Sequence, residues 1–164
     1  MKLYNTNCLD YLKSEQFQKD VGGGKALIVT DPPFNVGYHY NTYKDKMSEQ
    51  EYLSFLNKVF TTNDTPYVVI HYPESLYKIA LFNGDVPTRV CSWVYNSNTA
   101  KQHRDIAFFG VEPNFKQVLQ PYKNPNDKRI KKRIEEGKQF AMLPLTNWYM
   151  FDDCFGQIIG LFDE

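Results

Sequence analysis

The residues most suited to chemistry stand side by side, in the order Asp31, Pro32, Pro33 and Phe34. Consecutive prolines carry no backbone N–H and restrict φ, so the carbonyl oxygens around them become fixed acceptors. An exocyclic amino group on a planar ring offers two N–H donors, of which the Asp31 carboxylate and a proline carbonyl could each accept one. These hydrogen bonds would draw the nitrogen lone pair out of conjugation, while Phe34 offers a face for stacking. The pattern therefore predicts a site that activates a planar amine. We call residues 31–34 the corner.

The same residues also suit a plain strand-end turn, in which Asp31 caps a helix or meets a surface lysine. The segment before them, Ala26 to Thr30, is a continuous apolar and β-branched run that predicts a strand buried on both faces. Ligands of α/β proteins bind outside the carboxyl ends of such strands. The position of Asp31 at a strand end favours the chemical interpretation.

Predicted strands and helices alternate around this corner. Ser48 and Glu51 form a capping-box pattern, and apolar residues at helical spacing follow, which together predict a helix over 48–60. The alternation predicts an α/β fold with a mostly parallel sheet flanked by helices. The other predicted elements are strands at 67–72 and 89–95 and helices at 9–12, 74–82 and 128–137.

Charge is balanced over the 164 residues, with 19 Lys/Arg and 19 Asp/Glu, which excludes a globally basic nucleic-acid binder. Residues 1–98 hold nine basic against ten acidic residues, 99–138 hold ten against five, and 139–164 hold none against four. We expect a catalytic α/β core over 1–98, a basic recognition region over 99–138, and an aromatic, acidic segment over 139–164 that packs on the core.

The three cysteines, Cys8, Cys91 and Cys154, lie far apart and form no Cys-x-x-Cys pair. Neither a disulfide framework nor a zinc site is predicted, and a reducing, cytoplasmic setting is expected. The first residues contain no apolar core of signal-peptide type, and no run approaches the roughly 18 apolar residues of a membrane span, so no membrane association is expected.

Several segments, in order, resemble the DNA amino-methyltransferases that use S-adenosylmethionine, in the branch whose catalytic motif lies near the N terminus. The resemblance covers most of residues 1–125, and residues 31–34 are its most specific part. The matching segments are MKLYNTNCLDYLK, LIVTDPPFNVGY, YKDKMSEQEYLSFLNKVF and SWVYNSNTAKQHRDIAFFG.

The resemblance implies a Rossmann-like methyltransferase fold and transfer of a methyl group to N6 of adenine in double-stranded DNA. An Asp at the first motif position is commoner among adenine enzymes, and a Ser among cytosine-N4 enzymes. By resemblance, Asp31 would bind the target amino group, Pro32 would accept through its carbonyl, Pro33 would hold the loop and Phe34 would stack on the flipped base. The implied cofactor is S-adenosylmethionine without a metal, and its implied binding residues are Asn7, Cys8 and Asp31.

The basic region suggests how DNA would be held. Clustered cations neutralise phosphates and give salt-dependent affinity for nucleic acid. A solvated helix face explains a charge run equally well, and His103 could be a simple exposed polar residue. The candidate DNA-binding residues are Lys101, His103, Arg104, Lys128, Arg129, Lys131, Lys132 and Arg133.

This chain departs from the family's pattern at two points. The family carries an acidic residue before its Cys-Leu, where this chain has Asn7. The family's Phe-x-Gly-x-Gly loop, whose glycines let the backbone approach the cofactor, is missing, since the glycines of 155–160 have another spacing. A chain truncated at its C-terminal half is therefore expected, acting alone or as the catalytic part of an assembly in which a second subunit supplies the missing half. The alternatives are an inactive remnant that binds DNA or a partner protein, and an enzyme that methylates an amide or an RNA base.

Overall fold

Two parallel strands joined through a helix are neighbours in the sheet, and the predicted corner follows the first of them. The computed structural model describes residues 2–94, 101–115, 119–121, 124, 126–137, 142–144 and 148–149. The helices are α1 (Cys8–Leu12), α2 (Glu15–Val21), α3 (Glu49–Thr61), α4 (Pro73–Asn83) and α5 (Lys128–Glu135). The strands are β1 (Ile28–Thr30), β2 (Tyr67–His71), β3 (Arg89–Val94), β4 (His103–Phe109), β5 (Leu119–Pro121), β6 (Met142–Pro144) and β7 (Trp148–Tyr149).

The chain divides into two compact units. The first contains Met1–Val90 and Arg104–Glu112, and the second contains Cys91–His103 and Pro113–Glu164. The predicted corner lies in the first unit.

Within the first unit, β1 and β2 pair in parallel, with Ile28 opposite Tyr67 and Thr30 opposite Val69. Helix α3 connects them, because parallel neighbours require a crossover. The capping box at Ser48 is confirmed: the Glu51 amide donates to the Ser48 hydroxyl, and the Ser48 amide donates to the Glu51 carboxylate at 3.0 Å. The helix thus begins and ends within one residue of the predicted bounds.

Helix α3 presents an apolar stripe to the core. The buried side chains stand at the predicted helical spacing and pack with β2, β4 and the N-terminal helices. Phe60, Tyr67 and Phe109 stack in series, with ring centroids 4.3 Å and 4.5 Å apart. These three aromatic rings therefore serve packing. The buried residues of α3 are Tyr52, Leu56, Val59 and Phe60.

Strand β4 was not predicted from the sequence. It pairs antiparallel with β2, with Tyr67 opposite Phe109 and His71 opposite Asp105. The side chains of Ile106–Phe109 are at most 1% exposed. Because β4 runs in reverse, its first residues lie beside the carboxyl end of β2, and this register brings Arg104 toward the predicted corner.

The N-terminal segment folds as two short helices where one was expected. Asn7 and Ser14 cap them by accepting from the amides of Leu9 and Phe17. Helix α4 extends the predicted 74–82 by one residue at each end. It stops at Gly84, whose φ of +67° places it in the left-handed region that glycine adopts freely.

In the second unit, β3 pairs in parallel with β7 through Ser92 and Trp148, and β5 pairs antiparallel with β6. Asp127 caps α5, and Gly137 follows it at φ +64°, as predicted for a helix that stops there. The final residue of the predicted strand 89–95, the region 155–160 and most of the segment 139–164 lie outside the described residues.

The expected α/β class is confirmed. The pairs β1–β2 and β3–β7 are parallel, as expected, whereas β2–β4 and β5–β6 are antiparallel. The strands that the sequence pattern did not indicate are β4, β5, β6 and β7.

Candidate active site

The carboxyl ends of β1 and β2 and the beginning of β4 meet at one edge of the sheet. Asp31 directly follows β1, His71 ends β2, and Arg104 is the second residue of β4. Parallel pairing of β1 with β2 and antiparallel pairing of β2 with β4 bring these three residues together. Three polar side chains therefore lie close together at the edge of the sheet where ligands of α/β folds bind.

Asp31 and Arg104 form a partly screened ion pair. Asp31 Oδ2 lies 3.8 Å from Arg104 Nη1, and the two side chains are 30% and 23% exposed. Burial raises the pKa of the Asp31 carboxyl above its ordinary value, and the charge of Arg104 acts in the opposite direction. The carboxylate is thus a partly desolvated acceptor with the Arg104 cation beside it.

The second proline is held by a hydrogen bond from helix α3. The Tyr52 hydroxyl donates to the Pro33 carbonyl at 2.7 Å and lies 2.8 Å from His71 Nε2. The Tyr72 amide donates to His71 Nδ1 at 2.8 Å, which makes Nδ1 an acceptor. A neutral imidazole then carries its proton on Nε2 and donates to the Tyr52 oxygen. The relay runs in one direction, from His71 through Tyr52 to Pro33.

The Tyr52 hydroxyl keeps its proton in this relay. Its pKa is raised, first by burial and then by the negative charges of Asp45 and other nearby acidic groups, because each disfavours the phenolate. A protonated Tyr52 can continue to donate to Pro33 across the ordinary pH range. This fixes the orientation of one carbonyl in the corner.

Phe34 lies among two rings and a cation. Its ring centroid is 4.8 Å from that of His71 and 5.0 Å from that of Tyr72, at interplanar angles of 60° and 53°. The Arg104 guanidinium carbon lies 4.4 Å from the Phe34 ring centroid, within cation–π distance. The corner therefore combines a carboxylate, an aromatic ring and a planar cation.

The loop after the corner is fixed by the buried carboxylate of Asp45. The amides of Asn35, Val36 and Tyr38 donate to it at 2.8, 3.1 and 3.0 Å. Asn35, at φ +56°, also exchanges two hydrogen bonds with the backbone of Met47. These contacts close the loop onto the start of α3, so Phe34 is held from both sides.

A cavity of about 300 Å³ opens beside the corner. Asp31 and Cys8 both line it, which brings two of the three predicted cofactor residues to one surface. Asn7 is not among the lining residues, and its side chain accepts from the Leu9 amide at 2.9 Å. The lining is otherwise mainly apolar and consists of Tyr11, Leu12, Ile28, Val29, Thr30, Pro32, Pro33, Phe55, Leu56, Val59 and Phe60.

The predicted DNA-binding residues fall at three places. Arg104 lies in the corner, and its role toward DNA stays a prediction. Lys101 and His103 are exposed just before and at the start of β4. The cations of α5 are exposed, and Arg129 and Lys132 contact Asp127 and Glu136. The exposed cations of α5 are Lys128, Arg129, Lys131, Lys132 and Arg133.

Tyr52, His71 and Asp45 were missed as site residues in the sequence. His71 could have been found, because it ends the second buried strand as Asp31 follows the first, and parallel strands end at the same edge. Tyr52 looked like an ordinary core position of α3. No local pattern marks Asp45, whose three amide partners are seven to ten residues away.

No group of three or more His, Cys, Asp or Glu side chains that could hold a metal ion comes together in the part of the chain that the structure describes. Among the same residues, no helix combines the length and the apolar character needed to cross a membrane.

Comparison with known proteins identifies no family for the chain. No family model matches it, and no curated protein matches it in sequence. Among solved structures, the crystal structure of the M1.HpyAVI-SAM complex aligns with 16% sequence identity and a TM-score of 0.38. The alignment covers 74% of this chain and 59% of that one, so this chain matches less than two thirds of the length of its neighbour.

Proposed function

We propose that this chain is an amino-methyltransferase that acts on N6 of adenine in DNA, with S-adenosylmethionine as the methyl donor. One observation carries the proposal: Asp31 stands at the carboxyl end of β1 and lines a mainly apolar cavity, and Phe34 follows three residues later. That placement would bring an amino group and a methyl donor to the same carboxylate. The sequence resemblance of residues 31–34 to the catalytic loop of the DNA amino-methyltransferases supports the same reaction.

The cavity suits part of the proposed cofactor. Its volume of about 300 Å³ is at the lower end of the roughly 300–1,000 Å³ typical of small-molecule sites. Apolar walls with one carboxylate are compatible with a sulfonium cation, and Cys8 and Asp31 would line its site. When bound, S-adenosylmethionine supplies a methyl group activated by a positively charged sulfur.

The residues of the corner would prepare the amine. Asp31 would accept one N–H of the amino group and the Pro32 carbonyl the other, which localises the nitrogen lone pair. The Pro33 carbonyl already accepts from Tyr52, so in this proposal it holds the loop. Phe34 would stack on the base, which must leave the duplex to reach the corner. The proton released from the amine would pass to the Asp31 carboxylate or to water.

The test is transfer of an isotopically labelled methyl group from S-adenosylmethionine to adenine-containing DNA, with N6-methyladenine identified by mass spectrometry. Wild-type transfer is expected, and Asp31→Ala should abolish it while the fold remains. Glu15→Ala, which removes an exposed carboxylate of α2, is the matched control and should retain activity. Wild-type protein without transfer, or Asp31→Ala with full transfer, would contradict the proposal.

A second candidate is a non-catalytic protein of methyltransferase ancestry that binds DNA or a partner subunit. It is favoured by Asn7, whose side chain caps α1 and carries no charge for a cofactor hydroxyl. Calorimetric titration of S-adenosylmethionine into the chain separates the two candidates. Saturable binding that Asp31→Ala weakens supports the enzyme, and no binding at millimolar cofactor supports the second candidate.

A further inference from the structure

The Arg104 side chain lies close to both the Asp31 carboxylate and the Phe34 ring. Its Nη1 lies 3.8 Å from Asp31 Oδ2, and its Cζ lies 4.4 Å from the Phe34 ring centroid and 5.8 Å from that of Tyr72. The side chain is only 23% exposed. A planar group with N–H donors therefore already stands beside the acceptor and near the stacking surface.

These are the two contacts that the target base would need. In the proposed reaction, the amino group donates to Asp31 and the ring stacks on Phe34. A guanidinium presents planar N–H donors that match a carboxylate and stacks on aromatic rings, and in these respects it resembles the amino-bearing edge of adenine. Both groups would require the same two partners.

We propose that Arg104 occupies the target-base subsite as an internal competitor, and that its side chain must leave before a base can bind. The inference rests on the proposed function, because that function defines the subsite as the one for an amino-bearing base. It adds a residue that controls access to the subsite.

The contacts of Arg104 with Asp31 and Phe34 are of a kind that a ligand can replace. The 3.8 Å separation between Arg104 Nη1 and Asp31 Oδ2 is longer than a hydrogen bond, so this ion pair lacks a direct hydrogen bond between those two atoms. The backbone of β4 is anchored to β2, with Asp105 opposite His71. Displacement by a base would therefore require rotation of the side chain, while the strand stays in place.

A permanent brace is the competing explanation. As a brace, Arg104 would orient Asp31 for the base, and its removal would weaken binding. As a competitor, its removal would strengthen binding, because the base would no longer have to displace a cation from the Phe34 ring. The two explanations predict opposite signs for the same measurement.

The experiment compares adenosine binding by the full chain and by Arg104→Ala, using isothermal titration calorimetry. Adenosine should bind about two- to thirtyfold more tightly to the variant, the range that follows from the usual strength of cation–π interactions. Purine riboside, which lacks the exocyclic amino group, is the matched ligand. The preference for adenosine over purine riboside should increase in Arg104→Ala and disappear when Asp31→Ala is added.

Arg104→Lys provides a second variant that retains the charge but lacks the planar fork. It should bind adenosine with an affinity between those of the wild type and Arg104→Ala, and it keeps the test available if Arg104→Ala does not fold by circular dichroism. Equal or weaker adenosine binding by both variants, or no binding by any of the three proteins, would overturn the inference.

The outcome for Arg104 is distinguishable from that for the proposed function. Methyl transfer by the wild type, together with weaker adenosine binding by Arg104→Ala, would leave the activity standing and overturn the competitor role. Tighter, amino-dependent binding by Arg104→Ala without any methyl transfer would support the subsite and contradict the activity.

Discussion

His71 Nε2 lies 2.8 Å from the Tyr52 hydroxyl, at the buried carboxyl end of β2. The imidazole is fully buried, and its Nδ1 accepts from the Tyr72 amide, so the ring is oriented by its own strand end. The hydroxyl in turn donates to Pro33. The end of β2 and helix α3 therefore together position the Pro33 carbonyl, which belongs to neither element.

Tyr52→Phe should loosen the corner without opening the core, because it removes only the hydroxyl. The His71 and Pro33 groups lose their shared partner, which should lower the free energy of unfolding by about 1–3 kcal/mol. If the protein transfers methyl groups as proposed, kcat should fall by about tenfold or more while KM changes little, since small misplacements in a site are costly. Urea unfolding and steady-state kinetics measure the two effects.

Tyr67→Phe is the matched control, because the Tyr67 hydroxyl donates to Asp85 at a distance of 3.2 Å. Neither residue belongs to the corner. It should leave kcat unchanged. Equal kcat for Tyr52→Phe and the wild type would show that the hydroxyl does not position the corner.

Asp31→Asn should make the protein more stable at neutral pH and less active. Burial raises the pKa of the Asp31 carboxyl even with Arg104 opposing it, so the folded state disfavours the ionised form. Below the unfolded pKa of 3.8 the carboxyl is protonated in both states. As pH rises from there through the higher folded pKa, the wild type should lose stability relative to Asp31→Asn. Loss of the charged acceptor should slow methyl transfer by about tenfold or more.

Urea unfolding of both proteins between about pH 3 and 8 tests the sign. Arg104→Gln removes the opposing cation, so it should move the loss of stability to higher pH. A wild type that gains stability relative to Asp31→Asn over this range would contradict the expectation.

Asp45→Asn should release the loop that follows the corner. The carboxylate accepts from the amides of Asn35, Val36 and Tyr38, whereas an asparagine offers one acceptor oxygen and turns N–H donors toward the remaining amides. Asp45→Asn should lose at least one of the three hydrogen bonds. Each hydrogen bond to a charged group typically contributes about 1.5–3 kcal/mol to stability. Faster hydrogen exchange at these three amides would report the release.

Asp64→Asn makes the same chemical change at an exposed loop position with φ +49°, a region that asparagine tolerates. Its free energy of unfolding should stay within about 0.5 kcal/mol of the wild type. Unchanged exchange at the three amides in Asp45→Asn would mean that other interactions hold the loop.

The sequence predicts the elements whose signals are local. The capping box at Ser48, the apolar run before Asp31 and the glycine after α4 each act within a few residues, and the structure places their elements within two residues of expectation. Strand β4 was missed because its polar beginning hides a short apolar end. Its partner β2 lies more than 30 residues earlier, so no local period reveals the pairing.

The residues of the candidate site are also of two kinds, those that a local pattern predicts and those that only the tertiary structure brings in. Residues 31–34 are contiguous, so their chemistry can be read directly from the sequence. Arg104 and Tyr52 reach the corner only through the antiparallel register of β4 and the packing of α3. The sequence pattern suggested phosphate or base contacts for Arg104, and its place beside Asp31 depends on a strand that the pattern did not indicate.

The cations of α5 should set the salt dependence of DNA binding, if the chain binds DNA as proposed. Helix α5 has no buried residue, and Lys131 and Arg133 are exposed. Removing one cation that neutralises a phosphate should reduce the slope of log K against log salt by about 0.9. The double variant Lys131→Gln/Arg133→Gln should therefore show a shallower slope in fluorescence anisotropy with a DNA duplex. Lys19→Gln, an exposed cation of α2, should keep the wild-type slope. A slope that the double variant leaves unchanged would identify this part of α5 as a solvated face without a role in DNA binding.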